Sequence, residues 1–191
     1  MTCISTSAIS AYQIRPEAAG DAPAVEALNA EAFGPGRFTR TAHRIRESSM
    51  HGPLIALTAW HGTELAGSVH FTSIAIGGKR GALLLGPLAV APNFRKNGCG
   101  AQLIRAGVSE AERHGFRLVV LVGDLPYYQR EGFQMIPAGQ ILLPGPVDPE
   151  RLLAKELHQG ALADFSGLVT ADNEPQFEIY ANTSACQCAA Q

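Results

Sequence analysis

Apolar positions in this chain fall into two rhythms, and the change from one to the other predicts its elements. Tyr12-Gln-Ile-Arg-Pro16 reads as a short strand closed by Pro16. Val25, Leu28, Ala32 and Phe33 then recur at helical spacing, with Asp21 placed to cap the helix and Gly34-Pro-Gly36 placed to end it. A weaker helix is predicted over about Thr39 to Met50, with Ala42, Ile45 and Ser49 on one side. Leu54 to Trp60 and Leu65 to Ile76 are strands joined by the hairpin signal His61-Gly-Thr-Glu64. A turn at Gly77-Gly78-Lys-Arg-Gly81 leads to Ala82–Val90, nearly all apolar and therefore predicted to lie centrally.

Helical spacing returns with Ala101, Ile104, Val108 and Ala111, predicting a helix over about Gly98 to His114 that Gly115 stops. The nearly continuous apolar run Phe116 to Val122 has the mark of a buried parallel strand, so a right-handed crossover joins it to Ala82–Val90. Pro126 to Glu131 predicts a short helix, and Phe133–Pro137 and Gln140–Leu143 predict further strands. Arg151–Leu157 suits a strand or a helix equally. The sum is a mixed α/β sheet.

Composition narrows this picture only slightly. At 191 residues, 46% hydrophobic and 17% charged with a formal net charge of -2, the chain has the make-up of one globular domain, and no bulk charge argues for nucleic-acid or membrane partners. The first residues show neither a basic region nor a continuous apolar run, so no secretory signal is expected and the default address is the cytoplasm. The cysteines at 3, 99, 186 and 188 match no zinc spacing, and no metal is expected. Cys188-Ala-Ala-Gln191 fits the prenylation pattern literally, but no polybasic segment precedes it, and the tail from about Ala181 reads as a frayed end.

The chemistry gathers at Val90-Ala-Pro-Asn-Phe-Arg-Lys-Asn-Gly-Cys-Gly-Ala-Gln-Leu103, between the central strand and the long helix. Gly98 and Gly100 let the backbone turn tightly and approach a ligand closely. The N–H groups that open the helix have no intrahelical partners and sit at its positive end, which suits a phosphate, and Arg95 and Lys96 add charge at the rim. Two better-known phosphate loops fail here. The dinucleotide fingerprint would need a glycine where Leu103 stands, and nothing supplies the Gly-Lys-Ser/Thr of a P-loop.

Arg95-x-x-Gly98-x-Gly100, preceded by Val90-x-Pro92 and a long apolar strand, resembles the pyrophosphate-binding motif of the GNAT acetyltransferase superfamily. Tyr128-Gln-Arg-Glu-Gly132-Phe133 resembles its Tyr-x-x-x-Gly-Phe segment, about thirty residues later. Gly123-Asp124 followed by Tyr127-Tyr128 and Gly132-Phe133 is similar to the YhbS-like branch. The resemblance implies a mainly antiparallel sheet flanked by helices, with a splay between the fourth and fifth strands. It also implies an acetyltransferase domain over 12–168, between a flexible 1–11 and a partly disordered extension, 169–191.

By the same resemblance, acetyl-CoA would lie in the splay. Leu88, Ala89 and Val90 would pair with its pantetheine arm, and Arg95, Lys96, Asn97, Gly98, Cys99, Gly100 and Ala101 would wrap its pyrophosphate, with Tyr127 alongside. A primary amine of a small molecule or protein would attack the thioester directly. A backbone N–H near Val90 would receive the oxyanion, and Tyr128 would give a proton to the leaving thiolate. The proton acceptor is left open, because the central strand has no ionisable residue over 82–90; Glu31 and Asp124 are the remaining candidates beside a water chain. Phe33 and Arg37 would face the acceptor. Cys99 reads as packing rather than as a reactive thiol, and no histidine has an evident partner. A non-catalytic acyl-CoA sensor, a transferase of larger acyl groups, and a homodimer all stay open.

Overall fold

The computed structural model describes residues 12–35 and 41–174. Strand β1 (Gln13–Pro16) leads to helix α1 (Ala22–Phe33) and helix α2 (Thr41–Glu47). Three long antiparallel strands follow: β2 (Ile55–His61), β3 (Glu64–Ile76) and β4 (Lys79–Val90). Helix α3 (Cys99–Arg113), β5 (Leu118–Val122) and helix α4 (Leu125–Tyr128) come next. Four strands end the fold: β6 (Gln134–Met135), β7 (Ile141–Leu142), β8 (Leu152–Glu156) and β9 (Gly167–Ala171).

Among the described residues nine strands make a mixed sheet in the order β1-β2-β3-β4-β5-β8-β6, with β9 joining β3 and β7. Its main ladder is antiparallel except at β4·β5. The expected fold class holds. Side chains of the central strands divide by parity. Leu83, Leu85, Val119 and Leu121 enter one core with Phe71, Leu103, Ile104 and Val108. Ala82, Leu84, Leu118 and Val120 enter the other with Ile45, Ile74, Phe165 and Val169. A strand buried on both faces needs no polar alternation, which is why Ala82–Val90 reads as one apolar run.

Several elements differ from the sequence expectation. Asp21 does occupy the N-cap position of α1, but its carboxylate makes no cap bond. Pro23 in the first turn offers no N–H to cap, while the Arg15 guanidinium grips the carboxylate through bonds of 2.6 and 2.9 Å and Ala18 N–H donates to it at 2.8 Å. The two further strands expected after Pro126–Glu131 shrink to two residues each, Gln134–Met135 and Ile141–Leu142. Arg151–Leu157 resolves as strand β8, fixed by five register pairs with β5.

Strand β9 was not foreseen, and the domain edge expected at 168 falls inside it. β3 outlasts β2, and β9 pairs with the uncovered stretch Ile74–Ile76. Just beyond, the buried Asp172 carboxylate accepts from Ser73 Oγ at 3.0 Å and Arg80 Nε at 2.9 Å. Asn173 Oδ1 accepts from Met50 N–H at 2.8 Å, and Asn173 Nδ2 donates to the Ser48 carbonyl at 3.0 Å. No helix among the described residues is long and apolar enough to cross a membrane.

Candidate active site

β4 and β5 pair at only three positions, Ala82↔Leu118, Leu83↔Val119 and Leu84↔Val120. Past Leu84 they separate: among the described residues β5 ends on β8 alone, and Leu85–Val90 keep β3 as their only strand partner. The register to β3 slips between Leu85 and Leu88, so Gly86 and Pro87 bulge opposite His70. Beyond the bulge Ala91 N–H donates to the Ala66 carbonyl at 2.9 Å, marking 91·66 as a hydrogen-bonded pair. Antiparallel ladders alternate, so Ala89 faces β3 while the N–H and C=O groups of Val90 and Leu88 point into the splay. An extended amide chain laid there would find a strand edge to pair with.

At the end of β4 the chain turns through Pro92–Phe94 and Arg95–Gly98 into α3. Lys96 at φ 65° and Gly98 at φ 80° both take the left-handed conformation, which aims the start of α3 back toward the splay. Arg95 Nε donates to the Val90 carbonyl at 3.2 Å and so ties the loop to the strand end. Arg95, Lys96, Asn97 and Gly98 are exposed, whereas Cys99 and Gly100 are buried.

Burial pushes the Cys99 thiol up to about 11. Its position at a helix start does not make it reactive, because the side chain points into the core beside Leu103. Iodoacetamide at pH 8 should therefore leave the Cys99 peptide unmodified in the folded protein and label it fully in urea, as peptide mass spectrometry would read. Rapid labelling of the folded chain would contradict a packing role.

The two adjacent tyrosines part company. A Cβ on Gly100 would stand 2.3 Å from Tyr127 Oη, so the Tyr127 hydroxyl hangs over the first turn of α3. Tyr128 turns the other way. Its ring lies across Gly123, packs edge-on to Phe133 with centroids 5.7 Å apart and to Tyr127 at 4.9 Å, and borders a cavity. Burial foremost, then the neighbouring Tyr127 and Asp124, raise the Tyr128 phenol well above its ordinary range.

That cavity holds about 370 Å³ and sits where the splay opens. Leu85, Gly86, Pro87 and Leu88 line one side and Val122 and Tyr128 another. Glu26, Asn29 and Phe33 come from α1; Ala42, His43, Arg46 and Glu47 come from α2; His70 and Thr72 come from β3. Of the acceptor-side expectations Phe33 is present, and Arg37 lies outside the described residues.

Neither candidate proton acceptor reaches this space. Glu31 is exposed on α1, about 140–200° around the helix from the lining positions 26, 29 and 33 at 100° per residue. Asp124 is 77% exposed and pairs with Arg151 at 3.2 Å. The sequence reading also passed over Glu26, His43, Arg46, Glu47 and His70. A signal for His70 exists in the strand itself: Ser68, His70 and Thr72 stand at every second position of β3, which puts one polar stripe on one face. Among the described residues no cluster of three or more His, Cys, Asp or Glu side chains could hold a metal ion.

Comparison with known proteins gives the family and the fold. Residues 22–133 match the model of the Acetyltransferase (GNAT) family. The chain is 30% identical over 117 residues to the uncharacterized N-acetyltransferase YjhQ of Escherichia coli K12, a match covering 60% of this chain and 65%, just under two thirds, of YjhQ. It is 27% identical over 157 residues to the uncharacterized N-acetyltransferase YhbS of the same strain, covering 82% and 93% of the two chains. The crystal structure of E. coli YhbS in complex with CoA superimposes with a TM-score of 0.74 at 26% identity, over 84% of this chain and 89% of YhbS. A GNAT family acetyltransferase from Brucella melitensis in complex with acetyl-CoA gives 0.57 at 28% identity, over 78% and 97%.

Proposed function

Because this chain belongs to the GNAT acetyltransferase family, we propose that it transfers an acetyl group from acetyl-CoA directly to a primary amine held in the cavity at the splay. One observation carries this reading: the outward-facing strand edge reaches that cavity at Leu88, where the side chain of Tyr128 also lines it. Acetyl-CoA supplies an acetyl thioester whose sulfur leaves as a thiol. Leu88 offers its N–H and C=O groups, and Val90 its C=O, to the amides of its pantetheine arm, while Ala89 holds the strand to β3. The first-turn N–H groups over Gly98, Cys99, Gly100 and Ala101 receive the pyrophosphate, with Asn97 and the Tyr127 hydroxyl beside them.

Val90 N–H points into the splay and donates to the thioester oxygen as negative charge grows on it. Tyr128 stays protonated because burial opposes phenolate formation, and it gives that proton to the departing sulfur. Phe33 supplies apolar contact on the acceptor side, and Arg37 remains the proposed partner for an acidic group of the acceptor. The mixed lining, with Glu26 and Glu47 beside His43 and Arg46, suits a polar amine.

Release of free CoA thiol from acetyl-CoA, followed across polyamines, amino acids, aminoglycosides and peptide N-termini, tests the proposal. Release that depends on the amine, with the acetylated product identified by mass spectrometry, is the expected result. Tight acetyl-CoA binding with no release for any amine would favour a cofactor sensor. Faster release from a longer acyl-CoA would change the donor.

Lys96→Ala should raise the KM for acetyl-CoA several-fold with turnover unchanged, since a charge on the remote end of the cofactor contributes uniform binding. Arg95→Ala should raise it further, because it also unties the loop from the Val90 carbonyl. Loss confined to kcat in Lys96→Ala would instead put that ammonium near the reacting carbon.

A further inference from the structure

We propose that His70, oriented by Glu17, is the group that takes the proton from the amine. This inference rests on the transferase reading above and supplies the proton acceptor that Glu31 and Asp124 do not.

Strand pairing brings the two residues together although 53 positions separate them. Glu17 follows β1, and its N–H donates to the Ala56 carbonyl at 2.9 Å. Ala56 is the cross-strand partner of His70 in β2·β3. The Glu17 side chain thus lands beside the imidazole, with Oε2 2.6 Å from His70 Nε2 and only 16% and 19% of the two side chains exposed. His70 belongs to the polar stripe of β3, lies opposite the Gly86–Pro87 bulge of β4, and lines the cavity that Tyr128 also lines. Glu17 stands behind it and is not part of the lining.

A neutral imidazole carries its proton on one nitrogen and a lone pair on the other, and the bond made by one decides the role of the other. An ionised carboxylate only accepts, so Glu17 holds the proton on Nε2 and leaves the lone pair on Nδ1. The remaining titratable or charged groups at the cavity are Glu26 from α1, His43, Arg46 and Glu47 from α2, and Tyr128 from α4. His43 has its own carboxylate neighbour, Glu47, at 3.4 Å on the same helix.

In the step, the substrate ammonium gives one proton to His70 Nδ1, and Glu17 stabilises the imidazolium. The freed nitrogen pair forms the C–N bond to the acetyl carbon. As the C–S bond breaks its pair goes to sulfur, which takes the Tyr128 proton. The amine nitrogen loses a second proton, which restores the tyrosine by way of solvent. The amide and CoA thiol are complete, and His70 returns one proton to water.

The test compares the parent, His70→Gln, Glu17→Gln and His43→Gln by CoA thiol release with two acceptors: the amine selected by the panel, protonated at pH 7.5, and hydroxylamine, which is already neutral there. His70→Gln should lower kcat/KM for the protonated amine by about tenfold to a hundredfold, with the remaining rate climbing steadily as pH rises. Transfer to hydroxylamine and calorimetric affinity for acetyl-CoA should change less than twofold. Glu17→Gln keeps an acceptor for Nε2–H but loses the charge, and should show a smaller loss with the same selectivity. Equal losses for both acceptors would reduce the pair to a structural tie, and a selective loss in His43→Gln with His70→Gln like the parent would move the role to α2. A second readout needs no acceptor. Nitrogen-15 spectra at pH 8, with the His70 signals identified by their absence in His70→Gln, should show the Nε2–H tautomer; an Nδ1–H tautomer overturns the proposal. If the parent acetylates no amine, the transferase reading fails, while the spectrum still decides which nitrogen carries the lone pair.

Discussion

Tyr128→Phe is expected to lower single-turnover acetyl transfer about 10²-fold while leaving acetyl-CoA affinity nearly unchanged. The substitution keeps the ring that packs on Gly123 and Phe133 and removes only the hydroxyl, so folding and cofactor binding should persist. The expected loss sits at the low end for a positioned acid because water can partly replace it. The direction of the tyrosine's shift gives a pH signature. Burial penalises the phenolate, so the phenol keeps its proton throughout the range in which the reaction can be measured. No alkaline loss of rate should therefore trace to Tyr128, and the alkaline limbs of Tyr128→Phe and parent should have the same shape. Tyr127→Phe is the matched control, since its hydroxyl hangs over Gly100 and should affect affinity rather than turnover. A crippled Tyr127→Phe beside a normal Tyr128→Phe would show that the acid is the other ring.

Gly100→Val should weaken acetyl-CoA binding by about two orders of magnitude in calorimetry, equivalent to about 2.8 kcal/mol, whereas Cys99→Ala should change it little. A Cβ at position 100 would meet Tyr127 Oη at 2.3 Å and Val90 Cγ2 at 3.4 Å. The tyrosine must swing away, and the branched side chain then occupies the space above the first turn of α3 where the N–H groups are proposed to meet the pyrophosphate. Cys99→Ala only trims a buried side chain beneath that surface and should appear as a modest fall in Tm. Equal affinities in two folded variants would remove the pyrophosphate from this turn.

The half of the molecule proposed to hold the cofactor has a fold legible in the sequence, because its signals are local. The apolar run of β4, the glycines at 98 and 100 and the helical spacing of α3 are contiguous, and strand-helix-strand connection fixes where they meet. The lining of the cavity was not legible, because its residues meet only through pairing. Glu17 reaches His70 by way of Ala56, and the α1 and α2 residues that line the cavity carry no motif. Glu31 and Asp124 have the right residue type near the right elements, but helix phase and a turn leave them outside the cavity lining. β9 escaped notice for a related reason: five residues, with Gly167 at one end and only Leu168 and Val169 strongly apolar, carry too little periodicity to announce a strand whose partner lies about ninety residues earlier.

The knot of polar bonds at Asp172 and Asn173 bears on the order in which the molecule can be completed during synthesis. Asn173 grips the backbone at the end of α2, at Ser48 and Met50, 123 to 125 residues upstream, and Asp172 clasps Ser73 and Arg80. β4, the glycine turn, α3 and β5 are close neighbours along the chain and can dock as soon as they leave the ribosome. The fastening of α2, one wall of the cavity, must wait until residue 173 has emerged. A nascent chain paused near residue 160 would already carry every element proposed to hold the cofactor, but not the fastening of the wall proposed to face the amine.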